Sequence, residues 1–189
     1  MNIFSLLIKD ITFIAKYKFG QLALLKSLLS PSFICCLIYR LSVFFDLLKV
    51  PLLPRILWWL NFITFKVDLD QRSRLMGALY LPHPMCIVVG QFVESKESTC
   101  LKIMQGATIG GDLGRCDKIN GEVIQQPVFC SNAFIGVNSI VAGPVFITEP
   151  VFVAANSVFS KFSGGGCYYS VNQVSPLKEA HKKELKLDE

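Results

Sequence analysis

Histidine is nearly missing from this sequence: there are two in 189 residues, His83 and His181. The seven cysteines (Cys35, Cys36, Cys86, Cys100, Cys116, Cys130 and Cys167) form no C-x-x-C pair. With so few nitrogen ligands and no paired thiols, no zinc site is expected. An odd cysteine count without a cleavable signal pattern points to reduced cytosolic thiols used as small core residues. Charge is scarce as well, at 17% of residues against 52% hydrophobic, which excludes a disordered chain. Long apolar runs are also lacking. The longest charge-free stretch near the N-terminus, Ser27–Tyr39, has 13 residues and is interrupted by Pro31, short of the roughly 18–20 that a membrane-spanning helix needs. There is no P-loop, no dinucleotide fingerprint, and no interleaving of aromatic and basic residues of the kind that binds nucleic acid.

The charge that is present sits unevenly. The formal net charge is +5, and residues 1–66 hold eight basic residues against two acids, Asp10 and Asp46. The basic surplus therefore belongs to the apolar N-terminal third. That third reads as helical. Pro31 opens a segment at the first turn, where its missing N–H costs nothing, and Phe33, Leu37, Leu41, Phe44 and Leu48 follow at helical spacing. Pro51 and Pro54 break the segment, and Ile56–Phe65 is a last short helix or an extended run rich in aromatics. Two roles are open for these helices: a cap packed on a neighbouring domain or subunit, or a basic and apolar patch at a membrane surface.

After Lys66 the pattern changes. Phe129, Ile135, Val141, Ile147, Val153 and Phe159 recur every six residues. A second series, Ala133, Ser139, Val145, Val151 and Ser157, follows four positions behind and is small or β-branched. Asn132, Asn138, Pro144, Pro150 and Asn156 fall between them, residue types suited to turns. Upstream, Leu69, Leu75, Leu81, Ile87 and Val93 keep the same spacing, and Ile103 and Ile109 resume it after a break. A period of six fits short strands joined by turns, each unit sending a side chain into a narrow prism, so that the units stack as a solenoid. Two stretches break the rhythm: Gln91–Leu101, polar and read as a bulge or loop, and Gly110–Gln126, read as a loop leaving the prism. From Ser163 the repeat stops. Gly164–Gly166 is expected to be flexible, Tyr168–Val174 to form one more strand, and Ser175–Glu189 to be a charged, helical or frayed tail.

The segments Val67-Asp68-Leu69, Leu79-Tyr80-Leu81-Pro82-His83-Pro84-Met85-Cys86-Ile87-Val88-Val89-Gly90 and Gln105-Gly106-Ala107-Thr108-Ile109-Gly110-Gly111 resemble the serine acetyltransferase-like branch of the hexapeptide-repeat acyltransferases. Residues 135–145 and 155–161 continue the likeness, which covers roughly residues 35–162. The L-P-H-P variant resembles members found with capsule and surface-polysaccharide genes. The resemblance implies a mainly β fold, a left-handed parallel β-helix over residues 67–162. An N-terminal α-helical segment (1–66) precedes it and a C-terminal extension (163–189) follows. It also implies assembly as a homotrimer and acetyl-CoA as co-substrate, with no metal.

Acyl transfer to an alcohol needs a base, because a hydroxyl is a poor nucleophile at neutral pH. The resemblance gives that role to His83 and pairs it with the acid fifteen residues earlier, Asp68. Such a carboxylate would fix the imidazole tautomer and stabilise the imidazolium that forms. The fifteen-residue offset is close to one coil of three six-residue units. By the same resemblance, Gly110, Gly111, Ala142 and Gly143 line the groove for the pantetheine arm, where only small side chains allow close approach. Ser160 and Lys161 lie near the nucleotide end, where Lys161 would meet a phosphate. Arg115 matches a substrate-binding arginine. The acceptor side departs from the family. Pro82 stands where serine acetyltransferases carry an acid directly before the histidine, and Cys116 replaces a loop histidine.

These departures favour a sugar hydroxyl on a surface or capsular polysaccharide, or its precursor, as acceptor. The first rival is a serine O-acetyltransferase of cysteine biosynthesis. That family often ends in an isoleucine used by its partner enzyme, whereas this sequence ends Leu187-Asp188-Glu189. The second rival is a non-catalytic β-helix scaffold. The expected location is the cytoplasm, with the inner face of the membrane as a site of association through residues 1–66.

Overall fold

The computed structural model describes residues 2–17, 22–119, 122–161, 167–171 and 173–185. Four helices come first: α1 (Ile3–Ala15), α2 (Ala23–Leu28), α3 (Pro31–Leu47) and α4 (Leu53–Phe65). The starts of α1 and α3 follow from local chemistry. The Asn2 side chain accepts from the Phe4 and Ser5 amides, and Ser30 Oγ accepts from Phe33 N at 3.2 Å ahead of Pro31, so free N–H groups of each first turn are satisfied. α4 ends at Lys66, which adopts a left-handed φ of 56°.

From Asp68 the chain winds through three parallel sheets in turn. Sheet A contains β1 (Asp68–Leu69), β4 (Val88–Val89), β7 (Thr108–Gly110), β12 (Ile140–Ala142) and β15 (Val158–Phe159). Sheet B contains β2 (Arg74–Leu75), β5 (Glu94–Ser95), β10 (Val128–Phe129) and β13 (Phe146–Ile147). Sheet C contains β3 (Ala78–Tyr80), β6 (Cys100–Ile103), β11 (Ala133–Ile135), β14 (Val151–Val153) and β16 (Cys167–Ser170), with β17 (Gln173–Pro176) antiparallel at its edge. This is the expected left-handed parallel β-helix behind an N-terminal helical segment. One antiparallel hairpin, β8 (Asp117–Ile119) and β9 (Glu122–Ile124), leaves the coil between sheets A and B. It is the loop expected over Gly110–Gln126. A helix α5 (Glu179–Leu185) follows β17, in keeping with the helical alternative for the tail, while the single strand expected over Tyr168–Val174 is a hairpin of β16 and β17. The expectation for Gly164–Gly166 lies outside the described residues.

Every residue of the downstream six-residue series is buried, from Phe129 to Phe159, as are Ala133, Ser139, Val145, Val151 and Ser157. The 18-residue coil holds there: Ile140 pairs with Val158 and Val128 with Phe146. The upstream coils are longer. Asp68 pairs with Val88 and Val88 with Thr108, twenty residues apart. Leu69, Leu75, Leu81, Ile87 and Val93 are all buried, but Leu69 stacks in register on Val89 rather than Ile87.

One expectation is corrected. The stretch 91–101 is not a loop: β5 and the start of β6 lie inside it, in register with the coils on either side. Two of its inward positions are polar, between apolar Val93 and Leu101. Ser95 and Thr99 are buried, with Ser95 Oγ accepting from Gly77 N at 3.2 Å and Thr99 Oγ1 donating to Lys96 O at 2.8 Å. Gly77 is required beside them, because a Cβ there would lie 2.1 Å from Thr99 Oγ1. α3 runs over the segment opened by Pro31. Its buried face is Ser32, Phe33, Cys35, Cys36, Tyr39, Arg40, Ser42 and Val43, while Leu48 is exposed and Leu37, Leu41 and Phe44 are half-buried. The helix lies against backbone groups of the first coil, so its inner face mixes small residues with hydrogen-bonding groups such as Tyr39 and Arg40.

That contact is held by a buried ion pair. Arg40 donates from Nε and Nη2 to the two carboxylate oxygens of Asp10, each at 2.8 Å, and both residues are fully buried. Arg40 also donates to Leu75 O, and to Gly77 O at 2.7 Å, while Asp10 Oδ1 accepts from Leu79 N at 2.8 Å. Replacing one partner strands the other charge, so Asp10→Ala or Arg40→Met is expected to destabilise the fold by about 3–5 kcal/mol in urea unfolding. The apolar double variant Asp10→Leu/Arg40→Met should not recover this loss, because three backbone groups stay unpaired. Recovery to parental stability would show that the pair does not serve the coil edge.

Candidate active site

His83 lies in the turn that leads from β3 of sheet C to β4 of sheet A. The turn is stiffened by Pro82 and Pro84 and passes through Cys86 at a left-handed φ of 54°. It is tied to its neighbours by Cys86 N donating to Lys66 O at 2.9 Å and Gly106 N donating to Met85 O at 3.1 Å. His83 is exposed, and among the described residues its side chain has no hydrogen-bond partner. Asp68 N donates to Ile87 O at 2.8 Å, so the strand carrying Asp68 runs beside the end of the His83 turn. The offset of fifteen residues is not a whole coil here. It leaves His83 five residues short of Val88, the ladder partner of Asp68. Asp68 and His83 share no hydrogen bond among the described residues. Asp68 instead accepts from Trp58 Nε1 at 2.7 Å through Oδ1.

The second cluster forms at the opposite edge of sheet A, where chains turn towards sheet B. Ala142 and Gly110 are ladder partners, and Gly143 N donates to Gly110 O at 2.9 Å. Gly143 has a φ of +85°, and a Cβ on it would lie 3.1 Å from Asp112 Cβ and 3.4 Å from Arg115 Nη1, so the position suits glycine twice over. Arg115 donates to Asp112 Oδ2 at 2.9 Å and to Ser160 O at 3.5 Å. Ser160 is half-buried and Lys161 exposed at the same edge. The predicted residues Gly110, Gly111, Ala142, Gly143, Ser160, Lys161 and Arg115 therefore converge on one corner, while His83 and Asp68 occupy the other.

A cleft of about 440 Å³ opens at the glycine corner, between the coil and the base of the hairpin. Gly90, Gln91, Gly111, Asp112, Arg115, Cys116, Gln125 and Gln126 line it. The Gln126 amide packs on Gly111, where a Cβ would come within 2.6 Å of Nε2. Its Oε1 is buried and has no hydrogen-bond partner among the described residues. The glutamines and Trp58 are functional candidates that the sequence did not offer. Gln125-Gln126 falls where the six-residue repeat resumes after the loop, which was the one available signal. Nothing local marks Trp58 among the aromatics of α4. The other histidine, His181, lies on sheet C with its ring 4.7 Å from Phe152. Partial burial, and then the nearby Lys178, push its pKa down. Among the described residues no group of His, Cys, Asp and Glu could hold a metal ion.

No family model matches the chain. The serine acetyltransferase of Synechococcus elongatus is 28% identical over 128 residues, covering 68% of this chain and 49% of that one. Among solved structures, serine acetyltransferase from Neisseria gonorrhoeae superposes with a TM-score of 0.74 at 19% identity, over 93% of this chain and 66% of its own. A serine acetyltransferase in complex with CoA gives 0.74 at 18% identity, over 93% and 69%. Isoform 3 from Entamoeba histolytica, in complex with cysteine, gives 0.71 at 15% identity, over 98% and 65%. The fold is thus the parallel β-helix of the serine acetyltransferases, and the chain spans about half the length of the curated relative it matches.

Each corner of the site carries an exposed thiol, Cys86 beside His83 and Cys116 in the cleft. Cys35 and Cys36 are buried on the inner face of α3; burial pushes the pKa of Cys35 up to about 12 and pushes that of Cys36 well up too. Thiolates are the reactive species. Iodoacetamide at pH 8 is therefore expected to modify Cys86 and Cys116 first and to leave Cys35 and Cys36 intact in the folded protein, as read by peptide mass mapping. Early labelling of Cys35 or Cys36 would contradict the packing of α3.

Proposed function

We propose that the chain is an acetyl-CoA-dependent O-acetyltransferase in which His83 is the general base. The observation that carries this is the division of the predicted residues into two chemical sets at the two edges of sheet A. One edge has an exposed imidazole with a carboxylate on the adjoining strand; the other has a corner of small residues beside a polar cleft. A similar fold in complex with CoA supports the donor. In the reaction, the acceptor hydroxyl attacks the thioester carbonyl as His83 takes its proton. Collapse of the tetrahedral intermediate breaks the C–S bond, and the imidazolium returns the proton to the departing CoA sulfur. Asp68 would hold the imidazole and offset its charge. Gly110, Gly111, Ala142 and Gly143 would admit the pantetheine arm, with Ser160 and Lys161 towards the nucleotide.

One chain holds the two sets apart, so the working site needs a second subunit. A homotrimer closed about a threefold axis would set His83 of one chain against the glycine corner of the next. The outer face of sheet A is available for this contact, with Val88, Ile140 and Val158 exposed. Sheet C is less available, because α1 packs on β3 and α5 on β11.

For the acceptor, the corner chemistry favours a neutral, polyhydroxylated molecule, such as a sugar of a surface or capsular polysaccharide or its precursor. Arg115 already pairs with Asp112, which weakens its claim as a receptor for a free carboxylate, and Pro82 supplies no anion for an amine. Gln91, Gln125 and Gln126 offer amides suited to hydroxyl groups. The names of the relatives favour L-serine, the second reading, and none of them mentions a polysaccharide. Turnover of acetyl-CoA with L-serine and with a panel of bacterial glycans separates the two, together with the mass of the active species by light scattering. The expected result is a trimer that acetylates a glycan, with a loss of about 100-fold or more in His83→Ala. Serine as sole acceptor would replace the first reading with the second. Equal behaviour of parent and variant with every acceptor would leave a non-catalytic scaffold.

The helical segment also fits association with an anionic bilayer. Among the described residues no helix is long and apolar enough to cross a membrane. α4 nevertheless exposes Ile56, Trp59, Leu60 and Ile63 around an open apolar groove, following exposed Leu52. Lys49, Arg55 and Lys66 are exposed around it, and no acid occurs between Asp46 and Asp68. Such a face combines apolar insertion with cationic attraction. Sedimentation with phosphatidylserine-containing vesicles at low salt should carry the protein down, and Trp59→Ser/Ile63→Ser should reduce that several-fold. Failure to sediment, or equal binding to neutral vesicles, would rule this association out.

A further inference from the structure

Asp68 is held by a residue outside the β-helix. Trp58, on α4, donates its indole Nε1–H to Asp68 Oδ1 at 2.7 Å. The indole is itself fixed from both sides along the helix. The Arg55 guanidinium lies 4.1 Å from its ring centroid, and Phe62 stacks on it with centroids 5.6 Å apart and planes 17° apart. These are i−3 and i+4 neighbours, which share one helix face. α4 cannot slide easily, because Asn61 Nδ2 donates to Cys35 O at 3.1 Å and Ser42 Oγ to Pro54 O at 2.8 Å, tying it to α3 at both ends.

We propose that Trp58 is the positioning residue of the Asp68–His83 pair, a role that rests on the acyltransferase reading above. An indole N–H donates and does not accept, so Trp58 moves no proton. Its hydrogen bond occupies one carboxylate oxygen and fixes the plane of the group. Asp68 Oδ2 has no partner among the described residues, and it is the oxygen left to receive an N–H of His83. A carboxylate with both oxygens free could turn about its Cβ–Cγ bond and present either oxygen at any angle. Orientation of a catalytic group by a hydrogen bond from a rigid element is worth about 10–100-fold in activity where comparable outer partners have been removed. The N-terminal helices thereby become part of the catalytic apparatus as well as a cap.

Trp58→Phe removes the N–H and keeps a ring between Arg55 and Phe62. With acetyl-CoA, and with L-serine and the glycan panel as acceptors, kcat is expected to fall about tenfold while KM for acetyl-CoA stays within twofold. The Trp58→Phe/Asp68→Ala double variant should be no slower than Asp68→Ala alone, because an orienting bond is worthless without its carboxylate. A purely structural role would add the two losses and raise KM. A second measurement needs no acceptor. The chain has two tryptophans, so the ¹⁵N-labelled protein gives two indole N–H signals. Asp68→Ala should displace that of Trp58 and leave that of exposed Trp59 in place. Parental kcat in Trp58→Phe, additive losses in the double variant, or an unmoved Trp58 signal would each overturn the proposal. If His83→Ala and Asp68→Ala are themselves harmless, the acyltransferase reading falls with it. If those two are crippling and Trp58→Phe is not, the positioning role falls alone.

Discussion

A stack of parallel coils has an open end, and the energetics of this protein turn on how that end is closed. Each inner coil passes its backbone hydrogen bonds to the next, but the first coil has no predecessor. Its unpaired groups must find water or a substitute, since a buried amide or carbonyl without a partner costs as much as a lost hydrogen bond. Here the substitute is the Asp10–Arg40 pair, which meets Leu75 O, Gly77 O and Leu79 N from α1 and α3. Burial alone would drive the Arg40 guanidinium down, but the charge and hydrogen bonds of Asp10 outweigh it and push the pKa upward. A buried ion pair is often no better than an apolar contact of the same volume. This one differs because its hydrogen bonds extend into the backbone. Tyr39 adds to the seal, its hydroxyl 2.8 Å from Ser73 Oγ.

The seal has a consequence further along the chain. By fixing α3 on the coil it also fixes α4, through Asn61 and Ser42, and α4 carries the indole that meets Asp68. A line of contacts therefore runs from α1 to the strand beside the His83 turn. Loss of the seal would loosen the helices first and would reach that strand through Trp58. Stability of the cap and geometry of the proposed dyad are, on this account, linked by a few side chains, none of which belongs to the repeat.

The legibility of the sequence follows the same division. From Phe129 to Phe159 each inward position repeats every six residues and each turn has Asn or Pro, so composition and spacing agree and the coil can be read directly. Upstream the rule is diluted. Two residues are added to a coil at the turns, and inward positions such as Ser95 and Thr99 are polar because they bond to backbone, so a strand reads as a loop. In α3 the helical spacing was legible from its leucines, whereas the face it offers to the coil, with Cys35, Cys36, Tyr39 and Arg40, was not. The small residues of the glycine corner were picked out by the family resemblance, and the pairing of Ala142 with Gly110 places them together. Trp58 and Gln126 were not, since no local pattern marks them: the partner of the indole lies on another element, and Gln126 Oε1 has none among the described residues.

The separation of the two residue sets explains why a narrow solenoid would suit this chemistry. A triangular prism packed with side chains has no interior pocket to offer a substrate, so any site must form on its surface, where water competes with every hydrogen bond. His83 on its own is exposed and unsupported on one side, and the Gly110–Gly143 corner on its own is an open groove. Bringing one edge of sheet A against the other edge of a second copy would bury both together without remodelling either coil. It would also cover the apolar outer face of β4, β12 and β15. In such an arrangement the energy of assembly excludes water from the reacting groups. The element bordering such a site would be the hairpin of β8 and β9, whose base carries Arg115, Cys116 and the two glutamines. On the proposed reading the coil would set the distances, and the loop, where this sequence departs from the family it resembles, would meet the acceptor.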